Sequence, residues 1–140
     1  MSQDSDIKHI IVIDRKSRWR EFSKAALTAR GYHIHLYDNY DYPPPTLGSN
    51  QPALVILGCV TVGEEELQLI EQVVRRQHHL MVFCTAVGRD VMRSVFLKGA
   101  EDVTEWPYDV DTFVDSIEHV LHTIQSRNAY QTARKVRGYE

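Results

Sequence analysis

A chain of 140 residues, 43% hydrophobic and 25% charged, fits one domain built round a single core. Its formal net charge of -3 removes the electrostatic basis for nucleic acid as a principal partner. Two cysteines are too few for a disulfide scaffold, the polar start MSQDSDIKH is no secretory leader, and no apolar run nears the roughly 20 residues of a membrane span, so the expected setting is the cytoplasm.

IKHIIVID (7–14) is a short β-branched run that reads as a strand buried on both faces. SRWREFSKAALTARG follows with Trp19, Phe22, Ala26 and Ala29 at helical spacing and Gly31 as a C-terminal stop. YHIHLYD (32–38) and ALVIL (53–57) are the next strands, the latter apolar enough to be central. EEELQLIEQVVRRQ opens on acids and closes on arginines, which suits a helix dipole, with Leu67, Ile70 and Val74 on one face. LMVFCT (80–85) is a strand, RDVMRSVFLKGA a helix through Met92, Val95 and Phe96 that stops at Gly99, and EDVTEW a short strand before Pro107. The last helix opens on Asp109 as its cap and repeats Phe113, Ile117, Val120, Leu121 and Ile124. Alternating strands and helices imply a doubly wound parallel α/β sheet.

One connection breaks the alternation. NYDYPPPTLGSN (39–50) holds Pro43, Pro44 and Pro45, each lacking an amide donor and each disfavouring helix in the residue before it. The second helix is therefore expected to be reduced or replaced by an extended, proline-rich loop; service as a ligand for a partner is the sharper alternative. Residues 1–6 are expected to be disordered, 7–124 to form the domain, and 125–140 to be a polar, basic tail or an extension of the last helix. After residue 124 there is no room for a folded output domain, so action through another polypeptide, or membership of a larger one, is expected.

Several local signatures resemble, in order, the receiver domain of bacterial response regulators. HIIVID is similar to the receiver's first strand, QPALVILGCVTVG to its P-D-L-x-x-x-D stretch and following turn, VFCTA to its fourth strand with the switch threonine, and KGAEDVTEWPYDVDTF to its G-A-x-D-Y-x-x-K-P-F segment. The resemblance spans residues 7–124 and implies a flavodoxin-like three-layer sandwich of five parallel strands in order 2-1-3-4-5. It also implies a site at the carboxyl ends of the strands. There an aspartate takes a phosphoryl group, two acids hold Mg2+, and a lysine and a threonine contact the phosphoryl oxygens.

Position by position, the site departs from that pattern. Asp14 matches the first acid, but Arg15 stands where the second belongs. Gly58 falls on the phosphoacceptor. Thr85 matches the switch threonine, Trp106 replaces the lysine directly before Pro107, and Val103 replaces the aromatic that reports the switched state. Without a carboxylate at 58 there is no acyl phosphate, and Arg15 beside Asp14 removes the charge that draws a divalent ion.

The remaining features carry open alternatives. Arg15 either pairs with Asp14 or points into solvent. Thr85 is a switch hydroxyl or a relic bonded to backbone, and Arg15, Thr85 and amides near Gly58 could together hold an anion. Cys59 and Cys84 are a redox or metal pair or, by the commoner rule, two small hydrophobes. His33 and His35 share a strand face and His119 and His122 a helix face, with no third zinc ligand at recognisable spacing; His78 and His79 end a helix. Trp106 fills the old pocket or anchors a partner.

The expectation is thus a degenerate receiver, neither enzyme nor cofactor protein and without a bound metal. It would act by phosphorylation-independent contact with a protein of a signalling pathway. Interaction-surface candidates are Val103, Trp106 and Tyr108. A homodimer would use the face of fourth helix (89–98), fifth strand and fifth helix, or the C-terminal helix; neither membrane nor nucleic acid is an expected partner. The alternative is a small-ligand or anion sensor using the vacated pocket.

Overall fold

A computed structural model describes residues 7–41, 53–107 and 109–136, with side chains to 133 in the last helix. Its elements are β1 (His9–Asp14), α1 (Ser17–Thr28), β2 (His33–Tyr37), β3 (Ala53–Cys59), α2 (Glu64–Arg75), β4 (His79–Cys84), α3 (Arg89–Leu97), β5 (Asp102–Glu105) and α4 (Val110–Val136). All four strand pairings are parallel and the sheet order is β2-β1-β3-β4-β5. This is the flavodoxin-like arrangement expected of the chain. The proline-rich crossover falls mostly at 42–52, outside the described residues, as does Tyr108, so the receiver's fourth and fifth helices correspond to α3 and α4 here.

The unbroken apolar runs divide by pleat into two faces. Ile10, Val12, Leu54, Ile56, Met81 and Phe83 pack with Ala26 and Leu27 of α1 and with Phe113, Val114, Ile117, Val120, Leu121 and Ile124 of α4. Ile11, Ile13, Val55, Leu57, Leu80, Val82 and Cys84 pack with Leu69, Ile70 and Val73 of α2 and Val95 of α3. The face of α4 is the one its spacing predicts, and Asp109 caps it by accepting the Thr112 N–H at 2.7 Å.

Other faces differ from expectation. In α1 the buried residues are Ser23, Ala26 and Leu27, while Ala29 is exposed. In α2, Leu69, Ile70 and Val73 are buried, with Leu67 and Val74 at the flank. On α3 only Val95 is buried; Met92 and Phe96 are exposed because α3 lies over the sheet's end, against a strand of only four residues. Gly99, at φ +103, closes α3, and any side chain there would also crowd Val74. Val103 is 5% exposed inside the α2–α3 core, so it is no part of an interaction surface. The α4 helix runs past Ile124 to Val136, about 40 Å in all. Glu101 ties it to the sheet by accepting from Arg127 at 3.0 Å while contacting His79 at 2.8 Å.

Candidate functional site

The carboxyl ends of β1, β3 and β4 carry the matched residues. Parallel register sets Asp14 of β1 directly beside Gly58 of β3. The Asp14 side chain is 2% exposed and turned into the sheet edge. Its Oδ1 accepts the Lys16 N–H at 2.9 Å, and Oδ2 has no hydrogen-bond partner. Burial pushes its carboxyl above the usual range, offset in part by the Lys16 amide and by the charges of Arg20 and Lys16.

Why position 58 has no side chain follows from this packing. A Cβ built there would overlap Asp14 Oδ2 and sit 2.7 Å from Trp106 Cζ2 and 2.9 Å from Asp14 Cγ. Only a residue without a Cβ fits beside the orphaned oxygen.

Trp106 closes the same space from the other side. Its indole stacks on Trp19 with centroids 4.2 Å apart and planes 15° apart, and on Phe83 at 5.0 Å. Its N–H backbone group donates to the Cys84 carbonyl at 3.1 Å, fixing where β5 releases the chain. The ring is packed against the α1–α4 core and is not a free surface anchor.

Arg15 takes neither course open to it in the sequence. Its guanidinium pairs with Glu65 of α2 at 3.2 Å and lies over the Tyr40 ring at 3.9 Å from the centroid, with half its side chain exposed. Such a pair contributes little to stability, but it turns the cation away from Asp14. Arg20 instead reaches the strand end, donating to the Asp14 carbonyl at 2.6 Å. Thr85 is exposed, and its backbone N–H donates to the Val60 carbonyl at 3.2 Å.

Around these groups lies a cavity of about 280 Å3 whose walls include Trp19, Tyr40, Cys59, Thr85 and Trp106. Tyr40 donates to Glu66 at 2.9 Å, so that carboxylate is engaged as well. Cys59 and Cys84 are register partners on β3 and β4, and both are free thiols. Burial raises both thiols above the usual range, which keeps them protonated and poor as nucleophiles. Among the described residues, no group of three or more His, Cys, Asp or Glu side chains could hold a metal ion.

The structure thus gathers Asp14, Arg15, Gly58, Thr85 and Trp106 round one cavity, with Arg15 paired to Glu65 and not to Asp14. Glu65, Tyr40 and Trp19 are the partners sequence reasoning missed. Glu65 lies fifty residues from Arg15, and Trp19 reads equally well as a helix core residue, so no local signal marked either.

No protein-family model matches the chain, and no curated protein matches it. Solved structures do. NtrX from Brucella abortus in complex with ADP superposes with a TM-score of 0.80 at 19% identity, over 96% of this chain and 30% of that one. A CheY-like receiver domain protein from Methanospirillum hungatei JF-1 gives 0.72 at 14% identity, over 87% and 99%. The beryllofluoride-activated NtrC4 receiver domain dimer gives 0.63 at 17% identity, over 84% and 99%. At these identities the likeness is one of architecture: the chain has the fold of response-regulator receiver domains.

Proposed function

We propose that this chain is a receiver-fold signalling module that works by protein–protein contact and takes no phosphoryl group at position 58. The observation that carries the reading is the packing at position 58: Asp14 and Trp106 occupy the space a side chain there would need. A phosphoaspartate site requires a nucleophilic carboxylate, oxygen ligands for a hard divalent ion and a cation for the phosphoryl oxygens. Here the nucleophile is missing, Asp14 is turned inward, and Trp106 stands in the cation's place.

The working surface proposed is the α3–β5–α4 face. Met92 and Phe96, 44% and 43% exposed, lie one turn apart on α3, and Leu97 is 76% exposed. Three large apolar side chains on a nine-residue helix are more than solubility calls for. A second copy of the chain or a protein of a signalling pathway is the partner this face suits.

The test is incubation with acetyl phosphate and Mg2+ followed by intact-mass measurement. No added phosphoryl mass is expected; a stoichiometric, hydroxylamine-sensitive adduct would overturn the reading. The second reading, a small-ligand or anion sensor, draws on the cavity beside Gly58. A thermal shift of several degrees with phosphate or nucleotides would favour it over a pure contact module.

A further inference from the structure

Aromatic rings dominate the walls of the cavity beside Gly58. Both tryptophans of the chain, Trp19 and Trp106, line it together with Tyr40. Trp106 has Trp19 and Phe83 stacked on it, so it offers the cavity the edge of its indole rather than a face. At about 280 Å3 the space equals roughly nine waters at ~30 Å3 each, which is room for one molecule of one or two rings.

The polar wall is fixed to accept hydrogen bonds. Tyr40 donates its hydroxyl to Glu66 Oε2 at 2.9 Å, and the Gly63 N–H donates to Glu66 Oε1 at 2.8 Å. Those two bonds hold the half-buried carboxylate in place, and each of its oxygens can accept a second one. Asp14 Oδ2 has no donor either, but it is closed off from solvent, which leaves Glu66 as the acceptor a ligand meets first. Arg15, the cation best suited to an anion, is engaged by Glu65 and lies over the Tyr40 ring. The formal charges of the wall cancel, Asp14 and Glu66 against Arg15 and Lys16. Burial is the leading cause that raises the pKa of Asp14, Tyr40 and Cys59 alike, which marks a wall that disfavours charge.

We propose that this cavity binds a neutral, planar aromatic molecule of one or two rings that carries an N–H donor, its ring packed against Trp19, Trp106 and Tyr40 and its N–H given to Glu66. The proposal rests on the small-ligand reading above and narrows it, since the guest is a hydrogen-bond donor and not an anion. Indole edges carry partial positive charge and favour a ring face laid across them. The carboxylate sets the polarity: an acceptor of the same shape would meet it lone pair to lone pair and leave both groups unpaired. Phosphate fails twice, because its charge would enter an apolar space and would stand beside two carboxyl groups.

The test is titration of the full chain with indole, benzofuran and inorganic phosphate, followed by 1H–15N correlation spectra. Indole and benzofuran share a shape but differ in having an N–H or a ring oxygen, and the chain's two tryptophan N–H signals both report on the cavity. Indole is expected to shift both signals with a Kd on the order of 1 mM, fitting a ligand of about nine non-hydrogen atoms. It should bind at least about fivefold tighter than benzofuran, and phosphate should leave both signals in place. Glu66→Ala should bring indole down to the affinity of benzofuran; the three-probe comparison on the parent chain stands without this variant. Benzofuran matching indole, phosphate binding tighter than indole, or Glu66→Ala binding indole as the parent does overturns the proposal while leaving a small-ligand site in place. No shift with any of the three probes overturns both the proposal and the small-ligand reading.

Discussion

Adding one methyl group at position 58 tests the packing argument most directly. In Gly58→Ala the new Cβ would sit 2.7 Å from Trp106 Cζ2 and 2.9 Å from Asp14 Cγ, against a comfortable carbon–carbon separation of about 3.5–4.0 Å. Neither neighbour can withdraw freely. Trp106 is wedged between Trp19 and Phe83, and Asp14 is pinned by the Lys16 amide. Overpacking of this kind costs about 1–3 kcal/mol. If Asp14 swings out, it forfeits a hydrogen bond worth about 1 kcal/mol but regains hydration for its carboxylate. A loss of about 2–3 kcal/mol is the expected sum, or a fall in Tm on the order of 10 °C for a chain of this size. Urea denaturation followed by circular dichroism, which does not depend on the nearby tryptophans, measures it. Trimming the opposing wall should make the two changes non-additive: Gly58→Ala/Trp106→Ala should be more stable than the two single losses predict by at least about 1 kcal/mol. A Gly58→Ala variant within about 0.5 kcal/mol of the parent, or strict additivity with Trp106→Ala, would refute the claim that Asp14 and Trp106 leave no room for a side chain at 58.

Gly58→Asp should be less stable than Gly58→Ala in the same urea assay and should still gain no phosphoryl mass from acetyl phosphate and Mg2+, because Arg15 and Trp106 remain. Asp14→Asn tests the buried carboxyl. With its folded pKa raised above the ordinary 3.8, Asp14 adds stability that is fully present below 3.8 and is lost as pH rises through the folded value. The variant lacks that loss, so its stability relative to the parent should climb from pH 3.5 towards neutrality and then level off; a relative stability that falls over that window would contradict the inward placement. Glu101 has the opposite sign: His79 foremost, and Arg127, hold its carboxyl down at about 2, so its contribution is present above the ordinary 4.5 and lost as pH falls towards 2. Glu101→Gln should cost about 1–2 kcal/mol at pH 7, after discounting the half-exposed Arg127, and the difference should vanish in urea titrations near pH 2.

The sheet was legible because its strands are short apolar runs buried on both faces, and α4 because Phe113 to Ile124 repeat at helical spacing. The strand order came from the resemblance to receivers and not from periodicity. Helix faces were harder. The choice between Leu67 and Leu69 on α2 depends on how the helix rolls against β3 and β4, and Met92 and Phe96 look like core until one sees how little sheet lies beneath α3. At the site, the glycine at 58 was plain in the sequence, but its packing was not: the Asp14 carboxyl lies against it only once β1 and β3 are in register.

Residues 14, 58 and 106 are one packed unit, because a side chain at 58 needs the volume that Asp14 and Trp106 hold. The indole that fills the rim also joins Trp19 and Phe83 to Phe113, linking α1, β4 and α4 through one aromatic stack. In a phosphorylated receiver, the position before the proline would carry a charge that responds to the site. Here it is occupied by a ring stacked on Trp19 and Phe83, which ties the carboxyl end of β5 to α1 and β4.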